Sequence, residues 1–262
     1  MKVTLFTSNN LRHLYLINLI AENCEKLYVI QENKLLKDNI IPENYKFNHL
    51  DNLKLYFGKV NDAQKKIFAH DDKNLNNVRK KTIKFGELNF LNFNDLTEYL
   101  NSDYYIVFGS SIIKNKLLNF LIKNKAVNIH AGVSPYYNGT DCNFWALYDD
   151  NPHLVGTTVQ ILDKNLDGGP IIYHAMSKLR TNPFEYSMST VKSAFVSLSE
   201  RIFNHSEKNY ETLIQKNSKL IRKTRTSDFN ETVLKEYLDK SIDLNLKDFE
   251  DNLLWKPFYL SE

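Results

Sequence analysis

The stretch that decides the fold covers residues 127–172 and reads VNIHAGVSPYYNGTDCNFWALYDDNPHLVGTTVQILDKNLDGGPII. It contains five of the eight glycines and three of the six prolines of the chain. Because glycine and proline shape turns, the chain must change direction repeatedly here. The apolar start at Ala126 and the β-branched run GTTVQILD predict two strands, which a turn-rich loop connects.

Polar side chains fall at the ends of these two strands. Asn128 and His130 share one face of the first strand, since side chains two residues apart point the same way. The second strand ends at Asp163, and Asp167 follows beside two glycines that permit unusual backbone geometry. The pattern therefore predicts an Asn, a His and an Asp in strand ends and loops.

The beginning of the chain predicts the kind of sheet. Residues 2–7 indicate a buried strand, LRHLYLINLIAENC a helix, and residues 26–31 a second strand. A strand–helix–strand unit favours a right-handed parallel crossover and a doubly wound, mostly parallel α/β sheet. No G-x-G-x-x-G is present, which disfavours a dinucleotide cofactor. Ligands of such sheets bind beyond the carboxyl ends of the strands. The predicted ligand contacts at the first strand are therefore Ser8, Asn9, Arg12 and His13.

Further elements follow the same alternation. The apolar stripes over residues 51–69 and 185–203 predict helices. Residues 71–81 indicate a polar connector, and TIKFGELN after it fits a strand with a turn at Gly86. The run YYIVF predicts a strand that ends at Gly109, Ser110 and Ser111. Residues 222–225 fit a strand or loop, and the tail fits two short helices. We therefore predict one large domain over residues 1–210 with a small helical appendage over residues 211–262.

Composition excludes several classes of protein. A net charge of +3 over 262 residues is too small to indicate a nucleic-acid partner. Two cysteines cannot form a disulfide framework, which fits a reducing compartment. The sequence shows no secretory leader and no apolar run approaching about 18 residues. The histidines lack a metal-ligand spacing. We expect a soluble cytoplasmic protein with no metal and no membrane partner.

The order Asn128-x-His130, then a proline-containing loop, then Asp167 resembles the N10-formyltetrahydrofolate-dependent formyltransferases. The resemblance is firm over about residues 100–180. It implies a Rossmann-like formyltransferase fold, N10-formyltetrahydrofolate as cosubstrate, and Asn128, His130 and Asp167 as catalytic residues. The loop sequence GVSPYYNGTDCNFWALYDDNP is most similar to the nucleotide-sugar branch of the family, in particular to enzymes that formylate GDP-perosamine.

The chemistry of formyl transfer gives each residue of this trio a task. An amine attacks the formyl carbon, the carbonyl oxygen becomes an oxyanion, and the amine loses a proton. Asn128 can donate to the oxyanion, and His130 can assist it or move the proton. Asp167 can hold the imidazole and take up the proton, and the sequence leaves open which of the two is the terminal base. The resemblance implies further cofactor contacts at Gly109, Ser110, Ile112 and Asp163.

The prediction of the acceptor depends on fewer residues. Tyr136, Tyr137 and Trp145 offer aromatic surfaces for a sugar or a base, and Arg12 and His13 offer cations for phosphates. The resemblance favours a GDP-linked 4-amino-4,6-dideoxyhexose for O-antigen or another surface glycan. The sequence leaves the oligomeric state open, with a homodimer as one alternative. The alternatives are a dTDP-linked 3- or 4-amino sugar, methionyl-tRNA, and a non-catalytic sugar-nucleotide binding module. The transfer-RNA enzymes carry a further domain for which we expect no room.

Overall fold

The computed structural model describes residues 1–38, 40–43, 45, 47–69, 75–179, 181–204, 210–245 and 253–260. Within these residues the strands are β1 (Lys2–Thr7), β2 (Lys26–Asn33), β3 (Leu36–Lys37), β4 (Ile41–Pro42), β5 (Val78–Lys84), β6 (Tyr104–Val107), β7 (Val127–His130), β8 (Tyr137–Gly139), β9 (Thr157–Ile161), β10 (Ile171–Ser177), β11 (Arg222–Thr224) and β12 (Phe258–Leu260). The α-helices are α1 (Leu11–Ala21), α2 (Asp51–Ile67), α3 (Asn115–Lys123), α4 (Cys142–Tyr148), α5 (Pro183–Asn204) and α6 (Glu231–Asp239).

Eight strands form one central sheet in the order β12-β10-β9-β7-β6-β1-β2-β5. The five strands from β5 to β7 are parallel, β9 runs antiparallel to both neighbours, and β12 is parallel to β10. Strands buried on both faces are continuously apolar, as YYIV of β6 shows. The predicted doubly wound, mostly parallel sheet is confirmed. Its parallel strands bring residues 8–9, 33–34, 85–86 and 108–109 to one carboxyl edge.

Helices cover both faces of the sheet. On one face, α5 packs against β9, β10, α1 and α2, and its apolar stripe includes Val191, Phe195 and Leu198. On the other face, Leu117 and Leu121 of α3 pack in a second apolar cluster. No helix within the described ranges is both long enough and apolar enough to cross a membrane.

Two regions differ from the sequence expectation. The polar connector predicted over residues 71–81 ends in β5, which begins at Val78, while residues 71–74 lie outside the described ranges. The end of β5 coincides with the strand predicted from TIKFGELN, and only its first four residues fall in the predicted connector. All side chains of this edge strand are exposed or only partly buried, so its polar start carried little strand signal. The C-terminal segment contains α6 as predicted, but β11 also pairs with β8 and β12 with β10. The second predicted helix falls largely on residues 246–252, which are not described. The division of the chain at residue 210 stays a prediction.

Candidate active site

A cavity of about 970 Å³ lies at the carboxyl edge of the parallel strands. Its walls come from the ends of β1, β2, β5, β6 and β7 and from the loop that leads into α4. The predicted site residues that line it are Asn9, Arg12, Gly109, Ser110, Ile112, Asn128, His130, Asp163 and Asp167. The structure therefore brings together the trio, the turn after β6 and part of the β1–α1 connection.

The predicted trio forms a compact polar group. His130 Nδ1 lies 3.3 Å from Asp167 Oδ1, and Asn128 Nδ2 lies 3.5 Å from the same oxygen. The other carboxylate oxygen accepts the backbone N–H of Gly139 at 3.1 Å. His130 Nε2 lies 3.1 Å from the backbone oxygen of Tyr137. Each ring nitrogen of His130 thus faces an acceptor, an arrangement that suits the doubly protonated imidazolium.

The electrostatics of the trio agree with this geometry. Burial alone would lower the pKa of His130, but the Asp167 carboxylate and the Cys142 thiol raise it well above its ordinary value. Burial would raise the pKa of Asp167, but the His130 ring and the Gly139 N–H hold it below its ordinary value. At neutral pH the pair is therefore an imidazolium beside a carboxylate.

Backbone geometry fixes the loop that supports this pair. Gly139 has a φ of +102°, and a Cβ atom at this position would lie 2.0 Å from the backbone oxygen of Thr224. Only glycine allows β8 to approach β11 so closely. Arg222 of β11 also binds Asp149 through two nitrogens, at 2.8 and 2.6 Å. A segment distant in sequence thus holds the backbone N–H that Asp167 accepts.

The turn after β6 provides another part of the cavity wall. Gly109 has a φ of +67°, and its missing Cβ leaves room for His13, whose Cε1 would lie 2.5 Å away. The apolar side chains of Val107, Leu118 and Leu162 line the cavity beside this turn. Asp163 also lines it, and its carboxylate accepts the N–H of Asn165 at 2.9 Å. This part of the cavity offers a mostly apolar slot with backbone groups at its edge.

The structure does not place Ser8 and His13 in the cavity wall, contrary to the prediction for the acceptor. His13 is 1% exposed and packs on Phe108 with ring centroids 4.7 Å apart. Its Nδ1 accepts the Ser8 N–H at 3.3 Å, and the Thr7 hydroxyl lies 2.8 Å from the same nitrogen. Burial, together with Arg12 and Lys34, lowers the pKa of His13 well below its ordinary value. A neutral, buried imidazole cannot serve as a cation for phosphates.

The predicted aromatic contacts are also corrected. Tyr136, Tyr137 and Trp145 are 6%, 1% and 2% exposed and belong to an apolar core cluster rather than to the cavity wall. The Tyr137 hydroxyl accepts from Asn151 and donates to Asp149. These rings are buried because they are the largest apolar surfaces of this segment of the chain.

Arg12, Lys34 and Asp141 form a charged group in the cavity wall, which we call the acceptor end. Sequence reasoning missed two of its three members. Lys34 and Asp141 line the cavity beside Arg12. Asp141 accepts the Tyr45 hydroxyl, which lies 3.0 Å from both carboxylate oxygens. Burial raises the pKa of Asp141, although Tyr45, Lys34 and Arg12 oppose this. These residues come from distant parts of the chain, and no local pattern links them.

The two cations of this group lack close anionic partners. In the described part of the chain, no carboxylate oxygen lies within 4.0 Å of Arg12 or Lys34. The Arg12 Nε is buried and has no hydrogen-bond partner among those residues. Burial lowers the pKa of Arg12, and burial together with Arg12 lowers the pKa of Lys34 to about 8. Asp141 offsets part of the positive charge of both cations at longer range, and the net positive charge that remains favours an anionic ligand.

Asn9 positions Lys34 instead of pointing freely into the cavity. Its side-chain oxygen accepts the Lys34 N–H at 3.0 Å, and its amide donates to the Lys34 backbone oxygen at 3.3 Å. The pair of hydrogen bonds ties the end of β1 to the end of β2. The predicted residue is therefore at the site, with its amide engaged in holding a neighbouring cation.

Comparison with known proteins identifies the family. Residues 60–205 match the family described as formyl transferase. A stretch of 141 residues is 28% identical to the methionyl-tRNA formyltransferase of Finegoldia magna, and covers 48% of this chain and 44% of that protein. A stretch of 81 residues is 33% identical to the Thermodesulfovibrio yellowstonii enzyme of the same name, and covers 31% and 26%. The matches span less than half of these curated relatives.

Solved structures share the fold at low sequence identity. A sugar N-formyltransferase from a Shewanella species has a TM-score of 0.53 at 14% identity, over 87% of this chain and 78% of that one. A 4-N formyltransferase from Francisella tularensis has a TM-score of 0.53 at 16% identity, over 87% and 77%. An N-formyltransferase from Helicobacter canadensis, in complex with folinic acid and dTDP-3-aminofucose, has a TM-score of 0.52 at 15% identity, over 88% and 73%. Because the family match covers more than half of its residues, the chain belongs to the formyl transferase family.

Proposed function

We propose that this protein transfers a formyl group from N10-formyltetrahydrofolate to the amine of a nucleotide-linked dideoxy amino sugar. The observation that carries the proposal is the position of the His130–Asp167 pair and Asn128. They line one cavity together with the slot beside residues 109–112 and with the cations Arg12 and Lys34. The fold neighbours from Shewanella, Francisella and Helicobacter, all N-formyltransferases by title, support the same choice.

The slot beside the turn fits a flat, amide-bearing ring. Apolar side chains line it, and the backbone of residues 109–112 forms its polar edge. We propose that Gly109, Ser110, Ile112 and Asp163 hold the pterin there. When bound, the cosubstrate supplies an activated formyl carbon. The structure of the Helicobacter neighbour in complex with folinic acid supports a folate at this family's site.

The trio performs the transfer through charge and hydrogen bonds. Asn128 uses its amide to donate a hydrogen bond where negative charge develops on the formyl oxygen, and the His130 imidazolium adds a positive charge nearby. A raised pKa keeps His130 protonated at neutral pH, so it stabilises negative charge and does not act as the first base. Asp167 stays ionised and is the group that takes up the amine proton, directly or through water.

The unpaired cations favour an acceptor that carries phosphates. A ligand anion between Arg12 and Lys34 would supply the partner that both cations lack. A nucleotide-linked sugar satisfies this requirement and brings its own amine to the trio. Within this class we propose a GDP-linked 4-amino-4,6-dideoxyhexose used in O-antigen or another surface glycan, because the sequence of residues 132–152 resembles that branch of the family. A dTDP-linked 3- or 4-amino sugar is the nearest alternative.

One observation favours a second candidate. The curated relatives that match in sequence are methionyl-tRNA formyltransferases, which by name act on a much larger acceptor. Transfer RNA also carries phosphates, and the trio would do the same chemistry on its amine. The two candidates differ in whether a free nucleotide sugar suffices as acceptor.

A panel of acceptors tests the proposal. The protein is incubated with N10-formyltetrahydrofolate and GDP-, dTDP- or UDP-linked amino sugars, beside charged and uncharged initiator transfer RNA. Folate release and product mass are followed. We expect a mass gain of one formyl group on a GDP-linked amino sugar. Activity on charged transfer RNA alone would establish the second candidate, and folate binding without any product would indicate a binding module.

A further inference from the structure

A buried carboxylate lies behind the turn that follows β6. Glu32, at the end of β2, is 0% exposed. Its Oε2 accepts the Ser111 N–H at 2.5 Å, and its Oε1 accepts the Ser111 hydroxyl at 2.8 Å and the Gly86 N–H at 2.9 Å. One side chain of β2 therefore holds the turn after β6 and the turn after β5.

The hydrogen bonds of Glu32 extend across the carboxyl ends of three neighbouring parallel strands, β5, β2 and β1, to the turn after β6. In the sheet, β1 lies between β6 and β2, and β5 flanks β2 on the other side. β1 ends at Thr7, so the Glu32 side chain can reach past its end toward Ser111. A buried carboxylate is costly unless donors satisfy it, and three donors do so here. Its arrangement makes the β6 turn depend on a residue from a different strand.

The turn itself has little other support. Between the end of β6 and the start of α3, residues 108–114 form no regular element. Asn89 provides a second anchor, since its amide donates to the Ile112 backbone oxygen at 2.7 Å and its side-chain oxygen accepts the Lys114 N–H at 2.8 Å. Glu32 thus holds the turn from outside the cavity and Asn89 from within its wall, where Gly109, Ser110 and Ile112 also lie.

We propose that Glu32 is a positioning residue for the folate: it fixes the 109–112 turn in the geometry that binds the pterin. This inference rests on the proposed function, because it assigns the folate to that turn. Glu32 itself does not line the cavity and acts through Ser111. Its loss should therefore weaken cofactor binding and leave the chemistry of the His130–Asp167 pair largely intact.

The test is the binding of folinic acid to the purified full-length protein by isothermal titration calorimetry. Glu32→Gln keeps the size of the side chain but turns one acceptor into a donor. We expect its Kd for folinic acid to rise about tenfold or more, because hydrogen bonds to a charged acceptor are lost. At saturating cofactor, kcat should stay within about threefold of the wild type, whereas a purely structural defect would lower kcat and the melting temperature without a selective change in Kd.

A matched control is Glu87→Gln. Glu87 is exposed, lies next to Gly86 and accepts the Lys84 N–H at 3.0 Å, without a bond to the β6 turn. Its Kd for folinic acid should equal that of the wild type. Ser111→Ala removes only the hydroxyl donor and should raise the Kd about two- to fivefold, which keeps the test decisive if Glu32→Gln does not fold.

The outcomes separate this inference from the proposed function. Wild-type binding with unchanged Kd in Glu32→Gln and Ser111→Ala would overturn the role of Glu32 and leave the proposed function standing. No wild-type binding of folinic acid would overturn both. A selective rise in Kd for the two variants, with Glu87→Gln unaffected, would establish Glu32 as a positioning residue even if the acceptor proves to be another amine.

Discussion

The two charged groups in the cavity differ in how their charges are compensated. His130 and Asp167 form an ion pair 3.3 Å apart, supported by Asn128 and by the Gly139 N–H. Arg12 and Lys34 line the cavity beside the Asp141 carboxylate. Within the described residues, neither cation lies within 4.0 Å of a carboxylate oxygen. One group is complete before any ligand arrives, and the other is not.

This difference indicates a division of labour. A pre-formed ion pair keeps its geometry and protonation state, which is what a reacting centre needs. Partly buried cations without a close anionic partner raise the free energy of the empty protein, and an anion that binds beside them compensates their charge. The reacting centre should therefore contribute to both stability and turnover. The charged residues of the acceptor end should lower the stability of the free protein and raise its affinity for the acceptor.

The largest effect should come from breaking the ion pair. Asp167→Asn removes the charge but keeps the shape, so His130 loses its counter-ion and its pKa should fall toward or below the ordinary value. We expect kcat to drop by about 10²–10³-fold. NMR of the imidazole nitrogens should show His130 charged at pH 7 in the wild type and neutral in the variant. A variant with normal kcat would remove the trio from the mechanism.

A second change disturbs the same centre without touching a charge. Gly139→Ala places a Cβ 2.0 Å from the Thr224 backbone oxygen at a φ of +102°. We expect β8 to separate from β11, a loss of about 1–3 kcal/mol in the free energy of unfolding, and a lower kcat. Urea unfolding and steady-state kinetics measure both. Gly58→Ala is the control, since a Cβ there meets nothing within 4 Å and φ is not left-handed.

The acceptor end should respond in the opposite way. Arg12→Met removes a partly buried guanidinium whose Nε has no hydrogen-bond partner among the described residues, while retaining much of the volume. We expect the free energy of unfolding to stay unchanged or to rise by about 1 kcal/mol, and the KM for the acceptor to rise about tenfold or more. Opposite signs for stability and affinity would support the division of labour. A destabilised variant with normal KM would contradict it.

The smallest expected effect is a pH dependence that involves Lys34. Its pKa is lowered to about 8 in the folded protein from an ordinary value of 10.5, with burial as the main cause. Between these values the unfolded chain binds more protons than the folded one, so this contribution to stability rises with pH. Lys34→Met should be more stable than the wild type at pH 7, and the difference should shrink from about pH 8 to pH 10.5. Acceptor affinity of the wild type should fall over the start of that range. A stability difference independent of pH would show that Lys34 is compensated.

The sequence identified the parts of the site that are local in the chain. Asn128, His130 and Asp167 were predictable because one continuous stretch carries them in a recognisable order. Glu32 was not, because its partners Gly86 and Ser111 are 54 and 79 residues away. Trp145 was misplaced because the sequence of the short helix α4 does not reveal which of its side chains meet the core. His13 follows Arg12 directly, but one step along a helix turns the side chain by about 100°, away from the cavity.

The most direct test of the account follows the formyl group itself. The protein is given N10-formyltetrahydrofolate labelled with ¹³C in the formyl carbon, together with the nucleotide-linked amino sugar selected from the panel, and the label is located by NMR. We predict a ¹³C formamide on the sugar with the wild-type protein and a rate lower by about 10²–10³-fold with Asp167→Asn. Label that appears as free formate, or that stays on the folate while wild type and variant behave alike, would contradict the assignment of this cavity to formyl transfer.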